Sequence, residues 1–113
     1  MDYLNIYLLD DCYYSKSLKE LLNSKKINFK LNKVNYENKD RIKDKNKMST
    51  FPQVFLNSKD INYKVGGFND FSYILNEIET KKNLDLIIDN IKFKTNLDKS
   101  KSIRLIYLIK KSL

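Results

Sequence analysis

The sequence predicts an α/β domain in which a four-stranded mixed sheet is flanked by helices and followed by a short helical extension at the C-terminus. Three observations carry this reading. A short apolar run is followed by a helical stripe and then by an alternating segment, the pattern of a strand, helix, strand unit. Two strand-like runs then flank the polar turn Asn57-Ser58-Lys59-Asp60, as in a hairpin. A second helical stripe begins just after Gly66-Gly67.

Taken in order, Asn5-Ile6-Tyr7-Leu8-Leu9 has the length of a buried strand and stops at Asp10-Asp11. From Tyr14 onward, Tyr14, Leu18, Leu21 and Leu22 recur at i, i+4, i+7 and i+8, while Lys16, Lys19, Glu20 and Lys25 fall outside the stripe, so an amphipathic helix is expected. Residues 28–35 alternate, with Phe29, Leu31 and Lys33 on one side, as a second strand does. A strand, helix, strand unit of this kind is parallel with a right-handed crossover. Residues 38–48 are highly charged with few apolar anchors, which fits either a surface helix or a mobile connection.

Pro52 interrupts that segment, and Gln53-Val54-Phe55-Leu56 resumes as a strand with the proline at its first position, where a missing N–H does least harm. Residues 61–65 pair back as an antiparallel strand, which Gly66-Gly67 ends. Phe68, Phe71, Ile74, Leu75 and Ile78 mark a helix over residues 69–80. Beyond Lys82 the stripes Leu84, Ile87, Ile88, Ile91 and Ile103, Ile106, Tyr107, Ile109 predict two more short helices. Residues 1–80 thus form the main domain. Residues 81–113 form an extension that packs on it or mediates self-association. Its last basic-flanked apolar run is too short to span a bilayer and lacks the clean polar face of a membrane-surface helix.

A chain of 113 residues with 42% hydrophobic content and 14 aromatics, eight Tyr and six Phe, holds one modest core. No run reaches the roughly 20 apolar residues of a membrane span, and Met1-Asp2-Tyr3 lacks the basic opening of a signal peptide. An intracellular, cytoplasmic location is the expectation. The chain has no His, which removes imidazole catalysis and most zinc sites. The formal charge of +8 points toward anions, yet only Arg41 and Arg104 among 22 basic residues are arginines, and the lysines are scattered. No specific nucleic-acid role is expected. The absence of alanine beside abundant Lys, Asn and Ile is the coding habit of an AT-rich genome.

Cys12 is the sole cysteine, so covalent redox chemistry has to pass through a mixed disulfide with another molecule. It lies between a strand and a helix start, where unpaired N–H groups and the helix dipole favour the thiolate. Location alone leaves two readings open, since a free cysteine is also a common small core residue.

Cys12-Tyr13-Tyr14-Ser15 resembles the Cys-x-x-Cys or Cys-x-x-Ser active site of the glutaredoxin family, with Tyr14 at the family tyrosine and Ser15 at the second-cysteine position. Lys19-Glu20-Leu21-Leu22 is similar to the family's helix continuation. Thr50-Phe51-Pro52-Gln53-Val54-Phe55 resembles its Thr-Val-Pro-x-Val-Phe segment, and Gly66-Gly67-Phe68-Asn69-Asp70 its Gly-Gly-x-x-Asp. The segments occur in the family's order over residues 4–80, each on the element where the family carries it.

The resemblance implies a thioredoxin-like fold and a monothiol oxidoreductase that reduces protein-glutathione mixed disulfides through Cys12, with Asp11, Tyr13, Tyr14, Ser15 and Lys16 as its neighbours. It implies a cis proline at Pro52 that exposes the Phe51 backbone to glutathione, with Thr50 beside it. Gly66, Gly67, Phe68 and Asn69 would lie at a helix N-terminus suited to a carboxylate, and Asp70 would meet the γ-glutamyl ammonium. The bland counterparts are a turn for the glycines and a helix-cap role for Asp70. The family often takes a cation for the glycine carboxylate from the segment Lys39 to Lys47, where Lys39, Arg41 or Lys43 could serve, while a solvated helix face is the favoured role for most of these charges.

Two further readings belong to different classes. One is a carrier of a [2Fe–2S] cluster ligated by Cys12 from each half of a homodimer and by two glutathione thiols, with no other metal site expected. The other is a non-catalytic interaction module. The implied partners are glutathione and glutathionylated proteins. A parasite, a reduced bacterium or a large DNA virus is a compatible source, and a viral protein of this kind would act in the host cytoplasm or virion.

This sequence also departs from the family pattern. Leu9 stands where many glutaredoxins carry a lysine, Tyr13 replaces the motif proline, and the stretch from Pro52 to Gly66 is longer than usual. Asp10 and Asp11 place negative charge beside Cys12, which disfavours a thiolate and which Lys16 offsets in part.

Overall fold

Tyr3–Leu9 forms β1, whose alternate residues serve two different cores. Leu4 and Ile6 point into the main hydrophobic cluster, and Tyr7 into a smaller one on the other face. The structure is a computed structural model that describes residues 1–111. Ser112 and Leu113, the last two residues of the expected extension, lie outside the described residues.

After β1 come α1 (Tyr13–Lys25), β2 (Phe29–Val34), α2 (Lys39–Asn46), β3 (Gln53–Ser58), β4 (Ile61–Gly66) and α3 (Phe68–Thr80). Two more helices follow, α4 (Leu84–Lys94) and α5 (Lys99–Lys110). The four strands lie in the order β2-β1-β3-β4, with β1 and β2 parallel and the other pairings antiparallel. This is the predicted mixed sheet. The helix starts differ from expectation by one residue, at Tyr13 and Phe68, because both helices begin directly at their caps, Cys12 and Gly67.

The charged segment after β2 is a helix rather than a mobile connection. Its anchor is Ile42, buried with Tyr7, Val34, Phe51 and Phe55 under the sheet. Tyr7 and Phe55 meet edge to face at 5.9 Å. Gln53, at the start of β3, is fully buried, and its side chain accepts from Asn46 Nδ2 at 2.8 Å and donates to Met48 O at 3.3 Å. These bonds tie the loop between α2 and β3 to both elements.

The part of this sheet face beyond α2 carries a row of asparagines instead of a second helix. Asn32 donates to Asn5 at 2.6 Å, Asn5 to Asn62 at 3.2 Å and Asn57 to Asn62 at 2.9 Å, linking all four strands. The amides satisfy one another where burial takes Asn5 and Asn57 away from water.

The opposite face is covered by the remaining helices. Leu18 and Leu22 of α1 and Phe71, Ile74 and Ile78 of α3 share one cluster with Leu4, Ile6, Val54 and Leu56 of the sheet. Ile87 and Ile91 of α4 and Leu105 and Ile109 of α5 are fully buried in that same cluster. Each such side chain contributes about 1.5–3 kcal/mol. Arg104 of α5 also bonds Asp2 at 3.3 Å, so the C-terminal helix docks beside the start of β1. Among the described residues no helix is long and apolar enough to cross a membrane.

Candidate active site

Cys12 is the N-cap of α1, in extended conformation, with no side-chain hydrogen bond to the first turn. The chain reaches it through Asp11, whose φ of 58° turns the end of β1 sharply into the helix. Two backbone bonds fix the turn: Cys12 N–H donates to Leu9 O at 3.3 Å and Asp10 N–H to Val34 O at 2.8 Å. Ser15 is buried one turn into the helix, and its hydroxyl accepts the Leu9 N–H at 3.1 Å. The serine at the second-cysteine position thus closes the turn from beneath.

Cys12 Sγ lies 3.9 Å from Phe51 O, on the loop leading into β3. The Phe51–Pro52 peptide bond is cis. Pro52 and Phe51 are buried while Thr50 is exposed, so the loop presents backbone near the sulfur.

Two clefts meet at this point. The smaller, about 420 Å³, runs along Cys12 with Asp10, Asp11, Tyr13 and Ser15, and three lysines line it, Lys16, Lys19 and Lys33. Sequence alone sets only Lys16 against the two aspartates. Topology adds Lys19 from the next helical turn and Lys33 from β2, the parallel neighbour of β1.

The larger cleft, about 710 Å³, begins at Tyr14 and contains Thr50, Phe51 and all of Gly66-Gly67-Phe68-Asn69-Asp70. It does not include Cys12 among its walls, but the sulfur touches its boundary at Phe51. Tyr14 packs on Phe68 at 5.7 Å within the larger cleft and meets Tyr13, which lines the smaller one, edge to face at 5.4 Å. Of residues 50–52 and 66–70, which the resemblance assigns to glutathione, all but Pro52 line this cleft.

The Gly66-Gly67 turn is set by both neighbours in sequence and space. Val54 pairs with Gly66 and Phe55 with Lys64, which leaves Val65 as a bulge that swings the glycines toward the site. Gly66 has φ of +139°, and a Cβ there would come within 2.7 Å of Asp70 Cβ. Asp70 Oδ2 accepts the Gly67 N–H at 3.3 Å. The bland role of Asp70, a helix cap, is therefore present, and since Gly67 has no side chain, only this half of a capping box exists.

Lys39, Arg41 and Lys43 do not line either cleft. It is the C-terminal end of α2 that abuts the larger cleft, whereas Lys39 at its start stacks over Tyr36 at 4.8 Å. The lysines that do line the larger cleft are Lys47, Lys64 and Lys94. Lys64 Nζ donates to Lys47 O at 2.8 Å. No motif marks these three, which come from a helix cap, a strand and a late helix.

A bridging cluster needs four thiolates, of which one copy of this chain supplies a single one, Cys12. Among the described residues no group of three or more Cys, Asp or Glu converges on a common point.

A four-stranded mixed sheet with a parallel β1/β2 unit, a cysteine capping the helix between them and a cis proline facing its sulfur define a protein of the thioredoxin-like fold with a thiol site. A family model described as Glutaredoxin matches residues 4–61, more than half of the chain. The chain belongs to the glutaredoxin family, which makes it a thiol-disulfide oxidoreductase in kind.

Among solved structures it is similar to glutaredoxin 1 from Francisella tularensis, complexed with cacodylate, at 22% identity and a TM-score of 0.58, covering 72% of this chain and 100% of that one. That likeness is one of fold. Glutaredoxin from Brucella melitensis, a solution structure, aligns at 26% identity and a TM-score of 0.46 over 66% of this chain and 79% of that one. No curated protein sequence matches. The family match ends before Gly66, so the glycine pair and Asp70 rest on the geometry given above.

Proposed function

We propose that the protein is a monothiol, glutathione-dependent oxidoreductase acting on protein-glutathione mixed disulfides, with Cys12 as nucleophile. The observation that carries this reading is the position of Cys12 Sγ at a helix N-terminus, 3.9 Å from Phe51 O and at the edge of a cleft built from Thr50, Phe51 and residues 66–70.

In the first step the Cys12 thiolate attacks the glutathione sulfur of the mixed disulfide. A Cys12-glutathione disulfide forms, the protein-sulfur bond breaks, and the protein leaves as a thiolate that takes a proton from water. In the second step the thiolate of another glutathione attacks the glutathionyl sulfur, releasing Cys12 thiolate and oxidised glutathione. Ser15 takes no covalent part, since its hydroxyl is held by the Leu9 N–H and carries no sulfur.

The backbone of Phe51 is suited to pair with the cysteinyl part of glutathione in the manner of an added strand. The N-terminus of α3 at Phe68 and Asn69 suits the γ-glutamyl carboxylate, and the Asp70 oxygen not engaged by Gly67 suits its ammonium. Residues 1–80 supply these elements, and buried side chains of α4 and α5 join their core.

The test is turnover of a glutathionylated protein in a glutathione-coupled assay. Wild type is expected to be active and Cys12→Ser inactive. Intact activity in Cys12→Ser would sink the proposal. So would failure of wild type to accept one glutathionyl group from oxidised glutathione, read by intact mass.

A further inference from the structure

We propose that Lys94, on the corner between α4 and α5, is a specificity-determining residue that binds a substrate carboxylate in the larger cleft. This rests on the reading of that cleft as the mixed-disulfide site. Thr50, Phe51 and the Gly66 turn account for one side of the cavity. The C-terminal extension adds a further stretch of wall, formed by Phe93, Lys94, Thr95 and Asn96.

That wall is held in place. Thr95 N–H and Oγ1 both donate to Ile91 O, at 2.9 and 2.8 Å, and Leu97 N–H donates back to Thr95 Oγ1 at 3.0 Å. Ile91 and Leu97 on either side are buried in the main core. The corner is a fixed edge of the cleft, and it displays Phe93 and Lys94 there. Phe93 is 89% exposed. Lys94 sits with Nζ 4.9 Å above the Tyr73 ring, which orients the ammonium while leaving its donors free for an oxygen ligand.

Charge selects the ligand class. Lys47, Lys64 and Lys94 line the cleft against a single carboxylate, Asp70, already turned toward the Gly67 N–H. Lys47 and Lys64 are linked to each other, whereas Lys94 is brought to the cleft separately, by α4. A carboxylate placed between Lys94 and the start of α3 would meet both a cation and helix N–H groups. Two sources carry that group: glutathione itself, or an acidic side chain of the polypeptide disulfide-bonded to it, whose neighbouring apolar residue would rest on Phe93.

The test uses the full chain and two glutathionylated peptides, one with acidic and one with neutral residues flanking the cysteine. Wild type, Lys94→Glu and Lys94→Arg are compared for KM and kcat, with thermal melts to check folding. Lys94→Glu is expected to raise KM about tenfold with kcat nearly unchanged, the size of one charge-assisted hydrogen bond, and Lys94→Arg to restore it. A rise for both peptides assigns the carboxylate to glutathione, and a rise for the acidic peptide alone assigns it to the polypeptide. Equal KM for wild type and Lys94→Glu on both peptides overturns the proposal while leaving the proposed function standing. No turnover by wild type itself overturns the proposed function, and this proposal with it.

Discussion

Ser15 Oγ accepts the Leu9 N–H at 3.1 Å, so the residue in the second-cysteine position holds the end of β1 against the start of α1. Ser15 is buried and Leu9 half-buried. Ser15→Ala is expected to cost about 1–3 kcal/mol, the penalty of leaving a buried donor unmet. Thermal unfolding should fall by several degrees, while the glutathionyl adduct on Cys12 still forms by intact mass. An unchanged melt would show the bond to be dispensable.

The two glycines of the turn predict opposite outcomes. Gly66 has positive φ and no room for a Cβ beside Asp70, whereas a Cβ on Gly67 would sit 3.7 Å from Pro52 O, an ordinary contact. Gly66→Ala is expected to lose about 1–3 kcal/mol from the forced backbone conformation alone. Gly67→Ala should change stability far less. Denaturant melts of the two variants side by side check this.

Asp70 separates a structural role from a binding one. Asp70→Ala removes the acceptor for the Gly67 N–H and should cost about 0.5–1.5 kcal/mol. Asp70→Asn keeps an acceptor but removes the charge, so its stability should approach wild type while its KM for glutathione rises. If Asp70→Asn matches wild type in KM, Asp70 is a cap and nothing more.

Gln53 supports the cis-proline loop from behind, by accepting from Asn46 and donating to Met48 O. Gln53→Leu leaves both partners without their bond in a buried place, at an expected cost of about 1–3 kcal/mol. Since the loop carries Thr50 and Phe51, the KM for a glutathionylated substrate should rise as well. A stability loss with unchanged KM would mean that the loop keeps its shape unaided.

The fold was legible because periodicity is local. The stripes of α1, α3, α4 and α5 and the short runs of β1 and β3 repeat within a few residues, and turn chemistry marks their ends. The α2 segment was ambiguous because one apolar anchor, Ile42, makes no stripe. At the site, Cys12, the Phe51-Pro52 loop and the glycine turn could be read as motifs.

The cations could not. Lys33, Lys47, Lys64 and Lys94 are far apart in sequence and converge only through the parallel β1/β2 pairing, the β4 bulge and the α4–α5 corner. Gln53 was equally hidden, since a polar residue at a strand start looks exposed and here is fully buried. The asparagine row likewise emerges only when Asn5, Asn32, Asn57 and Asn62 are brought onto one sheet face.

The central claim is that the fold around Cys12 accelerates exchange at a glutathionyl sulfur. Its most direct measurement is the rate at which reduced glutathione removes the glutathionyl group from Cys12 in the folded protein, compared with the same adduct on a peptide of residues 1–16. A folded-protein rate at least tenfold above the peptide rate, falling toward it in Asp70→Asn, is the predicted result. Equal rates for protein and peptide would contradict the claim and leave a thioredoxin-like fold carrying an ordinary thiol.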